Sequence, residues 1–262
     1  MEGNNSLPVQ NDEDKTLQVV ESFDQTFENG NLVDTFSQIG EFALDQAIKN
    51  DLLRDIPVFG LLISGYKTVV NIKDFGLTKK VFRFLYHLQD TTPKERQKFS
   101  KKYCEANQET TSAALLDIID KLNNGNSVPI VCNLMKAVIN EQLSVSQFNR
   151  LIVAIQRTAF TDLLQLGKYE KEYDEDGLSD ALQAAGLIYQ STYDSGDYDT
   201  GENNCKFLLS PNGILLLRYG FNKDLEEKPR FTEVHSGLEW EEIGEAPDVD
   251  EEMFRHDFNR GK

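Results

Sequence analysis

Residues 144–157, with the sequence SVSQFNRLIVAIQR, indicate the fold of the larger part of the chain. Serine is a frequent N-cap residue because its hydroxyl accepts a hydrogen bond from a backbone N–H group in the first turn of a helix. Apolar side chains then recur at intervals of three and four residues, at Phe148, Leu151, Ile152 and Ile155. This spacing places them on one face, and it predicts an amphipathic helix that packs against a core.

The same spacing of apolar residues extends outward over residues 15–166. A proline tolerated in the first turn marks helix starts at Pro57 and Pro93, and the sequence NNGN at residues 123–126 marks a stop. About eight helices fit between these signals. The fold class that we predict is therefore mainly α, an antiparallel helical array.

The pattern changes in the C-terminal part of the chain. A short helix is predicted to begin at Leu178 and to end at Gly186, followed by two strands at residues 189–193 and 206–209 and a closing helix at residues 214–219. A helix, a β-hairpin and a closing helix form the second half of a winged-helix unit. We therefore predict a small winged-helix-like α+β unit after the helical array.

These patterns divide the chain into four segments. Both ends are polar and acidic, with too little apolar content to form a core. The predicted segments are a flexible N-terminal lead at residues 1–14, a helical domain at 15–168, the winged-helix-like unit at 169–221 and an acidic, partly disordered tail at 222–262.

Composition excludes some functions. The chain has 262 residues, of which 39% are hydrophobic, and a formal net charge of −17. Phosphate binding requires clustered Lys and Arg, so we expect no general affinity for nucleic acid. The predicted wing is acidic as well, so we expect no DNA binding by this unit. It contains Asp194, Asp197, Asp199 and Glu202 and no Lys or Arg.

The sequence contains no secretion signal and no recognisable catalytic or metal-binding motif. Cys104, Cys132 and Cys205 are widely spaced, and the N-terminus has no secretion signal, so we expect a cytoplasmic protein. His87, His235 and His256 form no metal-binding spacing, and no nucleotide-binding or nucleophile motif occurs. We therefore expect no catalytic residue, no cofactor and no metal, and we interpret His87 as part of a solvated polar stripe.

One acidic stretch resembles a calcium loop. Glu172, Asp174 and Asp176 alternate before a glycine, as calcium ligands do. Position twelve is Gln183, which cannot supply the bidentate carboxylate that completes the calcium shell. We therefore interpret the stretch as a solvated linker that caps the next helix.

A contrast between neighbouring segments gives the candidate interaction residues. Residues 56–72 carry one charge, and the segment after them is basic with an apolar face. The first segment is either a buried core helix or, with the second, a contact for an anionic membrane. The candidate interaction residues are Pro57, Phe59, Gly60, Ser64, Lys79, Lys80 and Arg83.

Several short motifs together resemble a known family. They are DIPVFG at residues 55–60, FRFL at 82–85, residues 115–122, FNRL at 148–151, AGLI at 185–188 and FLLSPNG at 207–213. The chain resembles the bacterial abortive-infection alpha family and related uncharacterised helical proteins with a winged C-terminal end. The resemblance implies a role in bacterial defence against phage and carries over no catalytic residue. The acidic tail has no counterpart in this pattern.

Three functional hypotheses follow. The first is a non-enzymatic, defence-associated effector or adaptor that acts at the inner membrane through residues 56–88. The second is a soluble protein-interaction or regulatory module that uses its winged unit and acidic tail to bind a partner protein or a second copy of itself. The third is an enzyme whose site is not recognisable from sequence.

Charge is distributed unevenly along the chain. Residues 67–102 contain ten Lys or Arg and three acidic residues, whereas the tail after Phe221 contains thirteen acidic residues and six Lys or Arg. Opposite charges of this size attract each other. We therefore hypothesise that the tail screens the basic region from an anionic membrane or another acidic partner.

Overall fold

The structure is a computed structural model that describes residues 12–36, 47, 53–68, 72–174, 176–194 and 204–225. The chain divides into two units, Met1–Leu225 and Glu226–Lys262. All of the described residues belong to the first unit. The acidic tail that the sequence predicts falls outside them, apart from its first four residues.

Eleven α-helices and three strands occur among the described residues. The helical part contains α1 (Asp12–Asp24), α2 (Leu32–Phe36), α3 (Pro57–Thr68), α4 (Ile72–His87), α5 (Pro93–Asn107), α6 (Thr111–Lys121), α7 (Val128–Ile139), α8 (Val145–Arg157) and α9 (Phe160–Leu163). The C-terminal part contains β1 (Tyr173–Asp174), α10 (Ser179–Ala184), β2 (Ile188–Asp194), β3 (Asn204–Leu209) and α11 (Pro211–Leu215). Short π-helical turns at Gln25–Asn29 and Leu216–Gly220 extend α1 and α11, and 3₁₀ turns lie at Gly125–Ser127 and Leu166–Glu170.

Local sequence signals determine where several helices begin. Thr92 and Glu95 form a capping box at the start of α5, in which the backbone N–H of Thr92 donates to Glu95 Oε2 over 2.7 Å. Ser144 and Gln147 form another at the start of α8, where the backbone N–H of Gln147 donates to Ser144 Oγ over 3.1 Å. Both starts are as the sequence predicts, because a capping box depends only on residues three apart.

The core is built around α7, whose described neighbours include α4, α5, α8 and the turn Leu216–Gly220. Aromatic rings fill the space between the N-terminal helices. Phe23 and Phe27 of the first helix stack with ring centroids 5.7 Å apart, and Phe84 of α4 lies 6.1 Å from each of them. Where the turn Leu216–Gly220 packs against α7, Gly220 allows the close approach, because a Cβ atom on it would lie 2.8 Å from Ile130 Cγ2. The mainly helical fold is thereby confirmed.

The three strands form one antiparallel sheet in the order β1-β3-β2. Strands β2 and β3, which include the two predicted strand segments, pair antiparallel with Ile188 opposite Leu209 and a register shift between Gln190 and Thr192. Gly186 ends the preceding helix with a φ of 71°, a left-handed conformation that favours glycine. Strand β1 has no sequence-based counterpart, because it falls within the stretch that we interpreted as a linker.

Candidate interaction surface

The four candidate residues of α3 lie in different environments. Pro57 is exposed in the first turn, whereas Phe59 is fully buried with its ring 6.0 Å from that of Phe82. A Cβ atom on Gly60 would lie 2.9 Å from the carbonyl oxygen of Arg54, so this glycine makes room for the turn that precedes its own helix. Ser64 lies in α3, and its side chain is outside the described part.

The apolar side chains at the start of α3 belong to the core. Val58, Phe59, Leu62 and Ile63 are all buried, and α3 packs against α1 and α4. For these residues the structure matches the core-helix alternative. None of the described helices combines the length and the apolar character that crossing a membrane requires.

Basic candidates on α4 contact the protein itself. Lys80 Nζ donates to the carbonyl oxygen of Asp120 over 2.7 Å, at the C-terminal end of α6. Arg83 Nη1 donates to Asn126 Oδ1 over 2.8 Å, in the turn between α6 and α7. Lys79 is half-buried. Lys80 and Arg83 therefore fix the end of α6 and the following turn against α4, which is a structural role.

A different set of basic residues faces solvent on α5. Lys94, Lys98 and Lys102 follow one another at intervals of four and Lys101 lies three positions after Lys98, so the four share one side of the helix. We call these four residues the lysine face. The side chains of Lys98 and Lys101 are 48% and 79% exposed, whereas that of Lys102 is 33% exposed. Two carboxylates accompany them, Glu105 on the same helix and Glu141 from the segment after α7.

Glu141 bridges two members of the lysine face. Its Oε1 atom lies 2.9 Å from Lys98 Nζ and 3.2 Å from Lys102 Nζ. The hydrogen bonds from these two lysines lower the pKa of the Glu141 carboxyl below its ordinary value. The two ammonium groups therefore lie within reach of a single carboxylate, and we call Lys98 and Lys102 together the clamp.

An open groove lies beside this clamp. It has a volume of about 720 Å³ and is lined by Lys102 and Glu105 of α5, by Glu141 and by the first turn of α8 with its Ser144 cap. Backbone N–H groups at a helix N-terminus favour negative charge. The groove thus combines an ammonium group with a helix start at the edge of the lysine face.

The acidic stretch at residues 172–176 does not gather its carboxylates. Glu172 lies near Lys206, with 3.9 Å between Oε2 and Nζ, whereas Asp176 Oδ1 accepts from the backbone N–H of Leu178 over 2.9 Å. Asp176 therefore holds the turn directly before α10, but the N-cap residue of this helix is Leu178 and no side chain caps it, so the predicted cap is not found. Among the described residues, no group of three or more His, Cys, Asp or Glu side chains could bind a metal ion.

Tyr169 also binds Asp176. Its hydroxyl donates to Asp176 Oδ1 over 2.8 Å and lies 3.2 Å from Ser179 Oγ. Burial raises the pKa of Tyr169 to about 12, and the bond to Asp176 adds to the effect. Burial alone would raise the pKa of Asp176, but the hydrogen bonds from Leu178, Tyr169 and Ser179 outweigh it and lower the pKa.

The sequence-based choice of interaction residues missed the lysine face, although a signal for it was present. Lys94, Lys98 and Lys102 follow one another at intervals of four. Like charges at this spacing destabilise a helix unless an external anion compensates them. Such a row therefore indicates a carboxylate from elsewhere, and Glu141 is that carboxylate in the structure.

Comparison with models of protein families, with curated proteins and with solved structures finds no match for this chain. We therefore infer its function from its own residues.

Proposed function

We propose that this chain is a non-enzymatic interaction protein that binds an acidic partner protein through the lysine face of α5. The observation that carries the proposal is the grouping of four lysines on one side of a helix in a protein of net charge −17. An acidic protein as a whole repels acidic partners, so a local basic surface of this kind confers orientation and selectivity on their binding.

A membrane is a less suitable partner for this surface. Helices that lie on membranes insert apolar side chains next to their basic ones. The large apolar residues of α5, Phe99 and Tyr103, are buried in the core. The exposed side of the helix therefore offers charge without an apolar anchor, which suits a protein partner.

Contact of residues 56–88 with the inner membrane is the second candidate, taken from the charge and apolar pattern of the sequence. The apolar side chains that such a contact requires include Val58, Phe59, Leu62 and Ile63, which are buried here. The contact would therefore need an opening of the helical array. Because of this requirement, we rank membrane contact below binding through the lysine face.

We interpret the C-terminal part as a winged-helix-like unit that contacts protein and does not bind DNA. It has the order helix, strand, helix, hairpin, helix from α9 to α11. On the winged-helix interpretation α10 would take the place of a DNA-reading helix, and it has only six residues, SDALQA, with one acidic and no basic side chain. A helix of this charge repels phosphates, so the unit contributes packing or protein contact.

The biological process that we propose comes from the resemblance to abortive-infection alpha proteins. On that basis the binding event belongs to bacterial defence against phage, and the helical body is its working part. The acidic partner is then a phage protein or a host protein that the infection exposes.

Phage plating tests this function. Bacteria that express the wild-type chain are challenged with a panel of phages, beside bacteria that express a variant with all four lysines of the lysine face replaced by glutamine. We expect the wild-type chain to lower plating efficiency and the variant to lose this effect, because the exposed lysines bind the partner. Equal expression and equal melting temperature serve as controls. Equal protection by both proteins would refute the proposal that the lysine face binds the partner. No protection by the wild type would refute the defence role.

A further inference from the structure

Glu141 has a backbone conformation that glutamate rarely adopts. Its φ is 63°, in the left-handed region, directly after the C-terminal residue of α7 and its cap Asn140. The backbone N–H of Gln142 donates to the carbonyl oxygen of Ala137 over 2.9 Å, and that of Glu141 donates to Val138 over 3.1 Å. These two bonds form a Schellman motif, in which glycine is the usual residue at the left-handed position.

The fold alone does not require a carboxylate at this position. Glycine or asparagine would complete the same two bonds with less backbone strain. Strained residues that persist in a structure cluster at binding and switch regions, so the outlier points to a role for the side chain. That side chain reaches Lys98 and Lys102 of the lysine face.

We propose that Glu141 is an internal competitor, which occupies the clamp of Lys98 and Lys102 until a carboxylate from an acidic segment of the partner protein displaces it. The inference rests on the function proposed above and specifies how its site is regulated. The geometry supports it in that one Glu141 oxygen accepts a hydrogen bond from each of the two ammonium groups, at the edge of an open groove.

Displacement of this carboxylate is feasible because the pairs are exposed. Glu141 is 66% exposed and Lys98 is 48% exposed, so water and salt screen their attraction. An acidic segment brings several carboxylates to the whole lysine face, whereas Glu141 brings one. The partner then gains contacts with Lys94 and Lys101 in addition to the two lysines of the clamp.

The experiment measures binding of a fluorescently labelled hexaglutamate peptide to the full chain by anisotropy. Wild type is compared with Glu141→Gln, which removes the competitor. The matched control is Asp117→Asn, because Asp117 is also exposed and lies 2.7 Å from Lys121 on α6, outside the lysine face. A variant with Lys98→Gln and Lys102→Gln is compared with Lys121→Gln and Lys171→Gln, which remove the same charge elsewhere.

We expect Glu141→Gln to bind the peptide about threefold to tenfold more tightly than wild type, the range that corresponds to one or two exposed ion pairs. Asp117→Asn should bind like wild type apart from the smaller effect of one lost negative charge. The Lys98 and Lys102 variant should bind more weakly than its control, and high ionic strength should remove all differences.

The possible failures are distinct. If the lysine variant binds weakly but Glu141→Gln equals Asp117→Asn, the internal competitor is refuted and the proposed function stands. If neither wild type nor Glu141→Gln binds the peptide, both proposals are refuted. If inorganic phosphate or anionic vesicles compete as strongly as the unlabelled peptide, the assignment to an acidic protein segment is refuted.

Discussion

Arg96 is the largest fully buried side chain among the described residues. Its Nε atom donates to the carbonyl oxygen of Phe27, its Nη2 atom to that of Gly30, and its Nη1 atom to both oxygen atoms of Thr91. Burial lowers the pKa of its guanidinium, and the charge of Glu95 partly offsets this. Arg96 thus joins the end of the first helix to the start of α5.

Replacing Arg96 by lysine should lower the free energy of unfolding by about 2–4 kcal/mol. Lysine retains the charge but cannot reach three separate acceptors, so buried carbonyl groups lose their partners. Urea denaturation measures the loss, and Arg150→Lys at an exposed position of α8 is the control. A loss below about 0.5 kcal/mol would show that water replaces the guanidinium bonds.

Tyr169→Phe should weaken the pH dependence of stability that Asp176 creates. The pKa of Asp176 is lower in the folded chain, so its carboxylate stabilises the fold above the unfolded value of about 4, and this is lost as the pH falls through the folded value. Removing the hydroxyl should cost about 1 kcal/mol at neutral pH, and the difference from wild type should narrow in acid. Urea denaturation at neutral and at acidic pH measures the difference in free energy of unfolding, with Tyr173→Phe as control. An unchanged difference in acid would contradict the role of the carboxylate.

Among the elements, the hairpin and α11 are joined through Gly213. A Cβ atom at this position would clash with the carbonyl oxygen of Leu187, where the chain enters β2. Gly213→Ala should therefore lower the free energy of unfolding by about 1–3 kcal/mol. Gly177→Ala is the matched control, because no atom lies within 4 Å of its added Cβ. Thermal denaturation of both variants measures the difference, and equal melting temperatures would contradict this packing.

Elements whose signals are local could be predicted from the sequence. The start of α5 at Pro93 and the stop at residues 123–126 depend on residues a few positions apart. The two strands were predicted for the same reason, since residues 189–193 and 206–209 flank a polar stretch. The first helix begins at Asp12, three residues before the predicted start at Lys15, since helix ends are weakly specified.

Contacts between distant residues could not be predicted in this way. Strand β1 has two exposed residues and exists only because β3 pairs with it. Lys80 and Arg83 find their acceptors 40 and 43 positions away, so their structural role is invisible in the local pattern. Glu141 likewise reaches the lysine face from another helix end, and only the lysine row itself indicated that an anion was needed.

For the whole molecule, net charge should control how strongly the lysine face binds. Residues 226–262 contain twelve acidic and five basic side chains, so a chain that ends at Leu225 has a net charge of −10 in place of −17. At low ionic strength this truncated chain should bind hexaglutamate severalfold more tightly than the full chain, because long-range repulsion is reduced. Anisotropy measures the change. A gain that persists at high ionic strength would show that charge is not its cause.

Site-specific photo-crosslinking tests the central claim most directly, namely that the lysine face contacts an acidic protein. A photoreactive amino acid is placed at Lys101, which is 79% exposed on α5, and in a second variant at Lys121, which is 61% exposed on α6. After irradiation of phage-infected bacteria, we expect a discrete protein adduct at Lys101 alone, and mass spectrometry should locate the crosslink in a segment rich in Asp and Glu. Adducts of equal strength at both positions, or adducts with lipid at Lys101, would contradict the claim.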